Sequence, residues 1–284
     1  MNSLTIGRLR VNAVVERAGP TPLSWLLPAV TPGALERHRE WLAPHFLDPK
    51  GRLLQSIHTF VIRAPGLTVL VDTCVGNDKD RGGRQPFHMM HTKFLDDLGA
   101  AGVPPDSVDV VICTHLHVDH VGWNTRLDNG RWVPTFPRAR YLFARREWDH
   151  WSSERDPGTQ RIMADSVKPV LDAGLTELVD MDHRISDEIW LEPTPGHTPG
   201  HVSVRLRSGD GDAVITGDLM HHPVQMAELS WITPFDSDVE EAKKTRRAFC
   251  ERYADGPVTV LGTHFYHPTA GRIMRHGDTW RFRV

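Results

Sequence analysis

Along the chain, apolar residues alternate with polar ones over short stretches more often than they recur at helical spacing, a pattern that predicts a strand-rich fold. Residues 4–16 alternate as one strand with Ile6, Leu9, Val11 and Val14 facing inward. Residues 57–62 and 67–71 read as strands joined at Ala64-Pro65-Gly66, and 108–113 is a wholly apolar run suited to a buried central strand. Further short strands are expected at 140–144, 189–191, 202–206, 213–216 and 258–261. Helical spacing occurs at 92–101, closing at Gly102, and at 145–152, 158–171 and 239–253. Residues 20–53 are rich in Pro, Trp and Leu without a clean period, which predicts a folded loop or short helical excursion roofing a pocket.

No fixed-period repeat, low-complexity tract or Gly/Ser linker divides the 284 residues, so one domain over 1–284 is expected. Its loose two-half order, strands followed by helices in each half, fits an α/β fold of two sheets packed face to face with helices on both outer faces.

Composition narrows the function classes. Apolar residues make up 39% and charged residues 24%, ordinary for a chain that buries a core. A formal charge of -3 offers no clustered basic surface of the kind nucleic acid requires. No apolar run reaches the ~18 residues of a membrane span, and the N-terminus lacks a basic leader with an apolar stretch. Cys74, Cys113 and Cys250 are odd in number, far apart and set mostly in apolar runs, as buried thiols of a reducing compartment are. The expectation is a soluble cytoplasmic protein whose partner is a small-molecule substrate, with no nucleic-acid or membrane partner and at most a second copy in a homodimer.

The 17 histidines change the picture, because several are grouped. Thr114-His115-Leu116-His117-Val118-Asp119-His120 follows the apolar strand directly and places four metal-competent side chains within six residues. A lone histidine is usually a hydrogen-bonded surface or core residue. Three imidazoles and a carboxylate on one loop repel one another if protonated and are costly to desolvate unpaired, so a cation is the simplest compensating charge. One loop cannot complete two metal sites, and further donors stand just past later strands. These are His197 in Thr194-Pro195-Gly196-His197, Asp218 after 213–216, and His264 after 258–261.

This HxHxDH loop with later His, Asp and His donors resembles the metallo-β-lactamase fold superfamily, over nearly the whole chain from the strand before Asp72 to the strand after His264. The resemblance implies a four-layered αβ/βα sandwich of two mixed sheets. It also implies a first metal on His115, His117 and His197, a second on Asp119, His120 and His264, and Asp218 bridging them. The ions would be two divalent cations, zinc above all, with Mn2+, Fe2+ or Co2+ able to substitute. Common zinc β-lactamases carry Cys where Asp218 stands, and the overall pattern is most similar to the lactonase and methyl parathion hydrolase-like groups. The implied activity is hydrolysis of a carboxylic ester or lactone by a metal-bridging hydroxide, with phosphotriesters as further substrates. A glyoxalase II-like thioesterase and a mononuclear-iron sulfur dioxygenase are the alternatives.

The resemblance implies roles for other residues. Asp119 would also relay a proton to the leaving group, and Asp72 would support the ligands from behind. His221 stands where many lactonases have a substrate-contacting Tyr, and as a catalytic residue it would donate a hydrogen bond there. His201 reads as structural. Trp25, Leu26, Leu27, Met89, Met90 and Trp231 are candidates for an apolar wall, in which case the substrate has a hydrophobic part.

Overall fold

The computed structural model describes residues 3–284. Its strands are β1 (Leu4–Ile6), β2 (Leu9–Thr21), β3 (Leu53–Ala64), β4 (Leu67–Val71), β5 (Val110–Cys113), β6 (Thr125–Asp128), β7 (Arg131–Pro134), β8 (Arg140–Ala144), β9 (Thr176–Val179), β10 (Ile189–Pro193), β11 (Val202–Ser208), β12 (Gly211–Ile215), β13 (Thr259–Leu261), β14 (Ala270–His276) and β15 (Thr279–Arg283). Among the described residues they form a seven-stranded sheet in the order β1-β2-β3-β4-β5-β8-β9, a six-stranded sheet β10 to β15, and the hairpin β6-β7. Both large sheets are mixed. In the first, β3 pairs with β4 antiparallel while β4, β5, β8 and β9 run parallel. In the second, only β12 and β13 are parallel neighbours. The fold is therefore mixed α/β with two large sheets plus helices, as expected.

The hydrophobic pattern explains where the strands lie. The Val110–Cys113 segment is buried on both faces between parallel neighbours, the environment that selects an uninterrupted Val/Ile run. The 239–253 helix and the 140–144 strand form at the expected residues. Two features differ, the first hairpin and two later ones. Residues 4–16 are a hairpin, turned at Gly7 with φ 57°, because only glycine takes that conformation without strain. The alternation survives the turn, so Ile6, Leu9, Val11 and Val14 are all buried. The hairpins β6-β7 and β14-β15 were not anticipated, although Asn129-Gly130, both at positive φ, is a strong turn signal. Residues 20–53 contain three short helices, Leu23–Leu26, Pro32–Glu36 and Arg39–Leu42, the second capped by Thr31.

The described residues gather into two compact units. One comprises Arg17–Ser56 with Arg184–Val284, the other residues 3–16 with Ile57–His183. Each has a core of its own. The first is built around Leu26, Leu27, Phe46, Phe249, Phe265 and Trp280, the second around Leu70, Leu98, Val111, Phe136, Tyr141 and Phe143. Cys250 lies in the first core and Cys74 and Cys113 in the second, all as free buried thiols. No helix among the described residues is long and apolar enough to cross a membrane.

Candidate metal centre

In the second unit the His115–His120 loop leaves β5 and is held by three anchors. Asp72, just past the neighbouring parallel strand β4, sits at φ 60°, a left-handed conformation that Asp tolerates better than most residues. Its carboxylate accepts from Thr114 N (2.8 Å) and Thr114 Oγ1 (2.9 Å) and meets His120 Nδ1 at 3.0 Å. That contact sets the Asp72 carboxylate against the outer edge of the His120 ring. Glu147, buried on the helix Arg145–Ser153, accepts Leu116 N–H at 3.1 Å and the indole N–H of Trp151. The third anchor is a close chain crossing. At Gly122 an added Cβ would lie 1.8 Å from the Val75 carbonyl oxygen, so the glycine is required where the loop returns under residues 74–76.

These anchors bring the loop's four donors together. The rings of His115 and His117 have centroids 4.6 Å apart, those of His115 and His120 4.0 Å, and Asp119 Oδ1 is 3.7 Å from His120 Nε2. His115 and His120 are buried, while His117 packs edge-on against Trp151 at 5.1 Å.

In the first unit, His197, Asp218, His221 and His264 are brought together. His197 Nε2 is 3.5 Å, His221 Nε2 3.1 Å and His264 Nε2 3.2 Å from Asp218 Oδ2. His197, Asp218 and His221 each offer a donor atom within 4.8 Å of the others. The outer nitrogens differ in a way that matters. His197 Nδ1 faces Asp236 Oδ1 at 3.0 Å, and His264 Nδ1 faces the Ser56 carbonyl at 3.1 Å. Both acceptors draw the proton to Nδ1, so two Nε2 lone pairs face one buried carboxylate. That arrangement is repulsive by itself and is relieved by a cation, so the donor set fits a metal. Burial lowers the His197 pKa to about 4 against the opposing pull of Asp236 and Asp218, which keeps the imidazole neutral as ligation requires.

His221 is different. No partner faces its Nδ1 among the described residues, so its proton is free to sit on Nε2 and be donated to Asp218. Its backbone is pinned, with N–H to Gln225 Oε1 at 2.8 Å and carbonyl from Gln55 Nε2 at 2.8 Å. Beside it, Phe235 (6.3 Å) and then Trp25 (4.8 Å from Phe235) form an aromatic run.

Other histidines are accounted for. His201 Nε2 accepts the Asp218 backbone N–H at 2.8 Å and Nδ1 donates to the Thr194 carbonyl at 2.9 Å, the structural role expected. His222 donates to the Phe46 carbonyl and accepts from Val224 N–H inside the core. Of the candidates for an apolar wall, Leu26 and Leu27 are core residues, Leu26 on the buried side of a one-turn helix and Leu27 just past its end.

Three residues were missed by sequence reasoning. Asp236 meets His197 and is held by Arg246, whose Nη2 reaches its two oxygens at 2.9 and 2.7 Å. Burial raises the Asp236 carboxyl, but His197 and Arg246 together take it well below the usual range. Arg246 carried a signal, a charge on the face Ala242, Phe249, Cys250 and Tyr253 where the period calls for an apolar residue. Glu147 and Asp236 carried none.

A family profile described as "Metallo-beta-lactamase superfamily" matches residues 54–250. The Metallo-beta-lactamase domain-containing protein 1 of Xenopus laevis is 27% identical over 248 residues, 87% of this chain and 86% of that protein. An N-acyl homoserine lactonase of Bacillus sp. is 24% identical over 148 residues, and the alignment spans 52% of each chain. Among solved structures, the dizinc quorum-quenching lactonase AidC in complex with a product superposes with a TM-score of 0.80 at 18% identity, covering 99% of this chain and 96% of that one. The hydrolase AbOPH gives a TM-score of 0.80 at 21% identity, covering 99% and 95%.

Proposed function

This chain belongs to the metallo-β-lactamase superfamily, and on that basis we propose that it is a metal-dependent hydrolase that opens a carboxylic ester or lactone. His115, His117 and His197 would hold one divalent ion, Asp119, His120 and His264 a second, and Asp218 would be shared. Zinc suits this imidazole and carboxylate set, which contains no thiolate. When bound, two such cations acidify a shared water toward a pKa of about 7 and polarise the bond under attack. The observation that carries the reading is the buried carboxylate of Asp218 facing the Nε2 lone pairs of His197 and His264.

The chain's own residues do the remaining work. His221 Nε2–H, 3.1 Å from Asp218, would turn to the substrate oxygen as charge grows there. Asp119 would take a proton from the attacking water and pass it to the leaving oxygen. Phe235 and Trp25 would take an apolar acyl group. The lactonase names of the relatives support that choice of substrate, and the buried free cysteines support a cytoplasmic location.

Zinc-loaded protein assayed against lactones, aryl esters, thioesters, β-lactams and phosphotriesters tests the reading. Lactones or aryl esters should be turned over fastest, and Asp218→Ala should fall to the uncatalysed background while remaining folded. Undiminished turnover by Asp218→Ala would remove the mechanism. Preference for thioesters, or oxygen uptake by an iron-loaded protein, would replace the substrate class. Phe235→Ala should raise KM for long-chain esters several-fold and leave short-chain esters nearly unchanged.

A further inference from the structure

The helix Val239–Tyr253 buries Ala242, Arg246, Phe249, Cys250 and Tyr253. Arg246 is the charged member of that face and is 0% exposed. A buried ion pair is a poor device for stability, since well-packed apolar residues in its place often serve as well or better. Stability therefore does not by itself account for a charge at this position, and its contacts supply another role. The Nη2 atom grips both oxygens of Asp236, whose Oδ1 meets His197 Nδ1, while Nε donates to the Leu219 carbonyl at 2.7 Å, one residue past Asp218.

The backbone around His197 is already secured without this pair. Ser237 N–H donates to the His197 carbonyl at 2.9 Å, Asp238 N–H to the Gly196 carbonyl at 2.9 Å, and Thr245 Oγ1 to the Pro195 carbonyl at 2.7 Å. Gly196, at φ 129°, packs so closely that an added Cβ would lie 2.4 Å from Ala242 N. What remains for Asp236 is the rotation and proton position of the His197 ring, and for Arg246 the spacing between that ring and the chain that carries Asp218.

We propose that Arg246 and Asp236 form a brace that places His197 and Asp218 relative to each other, so that a guanidinium on a helix governs the affinity and coordination of the ion these two donors share. The proposal rests on the metal-binding reading above. Asp236 and Arg246 are positioning residues, acting through His197 and Asp218.

The test compares wild type, Asp236→Asn, Arg246→Lys and the charge-free pair Asp236→Leu/Arg246→Met. Cobalt(II) binding is followed by chelator competition and by the visible absorption of the bound ion, alongside the melting temperature of the apoproteins. Wild type should take two equivalents. Asp236→Asn and Arg246→Lys should each weaken one equivalent about 10- to 100-fold, the usual effect of removing a ligand's outer partner, and change its absorption band. The charge-free pair should melt near wild type yet keep the metal defect, which separates placement from stability. Wild-type affinity and spectrum in all three variants would overturn the brace, as would metal loss that only tracks loss of fold. Failure of wild type itself to bind metal would instead remove the reading on which the brace rests.

Discussion

At the scale of single residues, the ring nitrogen that faces away from a candidate ligand position says as much as the one that faces toward it. His197 and His264 each present Nδ1 to an acceptor, respectively Asp236 and the Ser56 carbonyl, so their inward nitrogens are lone pairs, while His120 Nδ1 lies 3.0 Å from the Asp72 carboxylate. Asp72→Ala should therefore weaken metal binding about 10- to 100-fold. It should also cost about 1–3 kcal/mol of apoprotein stability, because the Thr114 N–H is left buried without its acceptor. Chelator competition and a denaturant titration measure the two effects separately. Lys79 makes a prediction about pH. It is fully buried, its Nζ 2.9 Å from the Asp165 carbonyl oxygen and 3.6 Å from the Trp132 ring centre, and burial lowers its pKa to about 7 against the opposing pull of Asp165. The unfolded chain then holds more protons than the folded one between about pH 7 and the ordinary lysine value. Stability from this group should rise with pH across that window and be flat below it. Lys79→Met should remove that slope in denaturant melts at pH 6, 7, 8 and 9; an unchanged slope would assign it to other groups.

At the scale of elements, the helix Val239–Tyr253 and the crossing at Gly122 carry most of the positioning. Asp238 caps the helix by accepting Glu241 N–H at 3.0 Å, and its own N–H holds the Gly196 carbonyl. Asp238→Ala should cost about 1 kcal/mol, read as a lower denaturation midpoint. The Gly196–His197 turn should loosen with it, seen as faster amide exchange at Ser237 and Asp238. Gly122→Ala is the harsher change. A methyl cannot fit 1.8 Å from the Val75 carbonyl, so the two crossing segments must part. The expected result is a fall in thermal midpoint larger than that of any ligand substitution, with metal binding lost as well.

At the scale of the whole molecule, the chain passes between the two compact units inside strands, at residues 16–17 of β2 and 56–57 of β3, as well as at residues 183–184. A strand shared in this way links the order of one end to the order of the other. Scanning calorimetry of the apoprotein should show one cooperative transition, and two resolved transitions would show the units to fold separately. Metal should raise the midpoint in proportion to the logarithm of its free concentration, and a chelator should reverse that rise, because only the folded state offers the assembled donors. Absence of a metal-dependent shift would contradict the proposed centre.

The sequence by itself determined the strand-rich α/β class, the burial of the 110–113 strand, the helix at 239–253 and the donors on the 115–120 loop. These depend on local period and spacing, which are written in adjacent residues. It also supplied His197, Asp218 and His264 as donors, since each follows an apolar strand. Only the tertiary structure decided which acceptor faces each ring's outer nitrogen. Asp236 is 39 positions from His197, Ser56 is 208 from His264, and Asp72 is 48 before His120. Asp72 was named in advance by the resemblance alone, Asp236 lies in a loop where a polar residue needs no further explanation, and Ser56, inside β3, acts through a backbone carbonyl that any residue would carry. Arg246 alone betrayed itself by interrupting an apolar helical face, because burying a charge is expensive enough to need a partner the sequence cannot show.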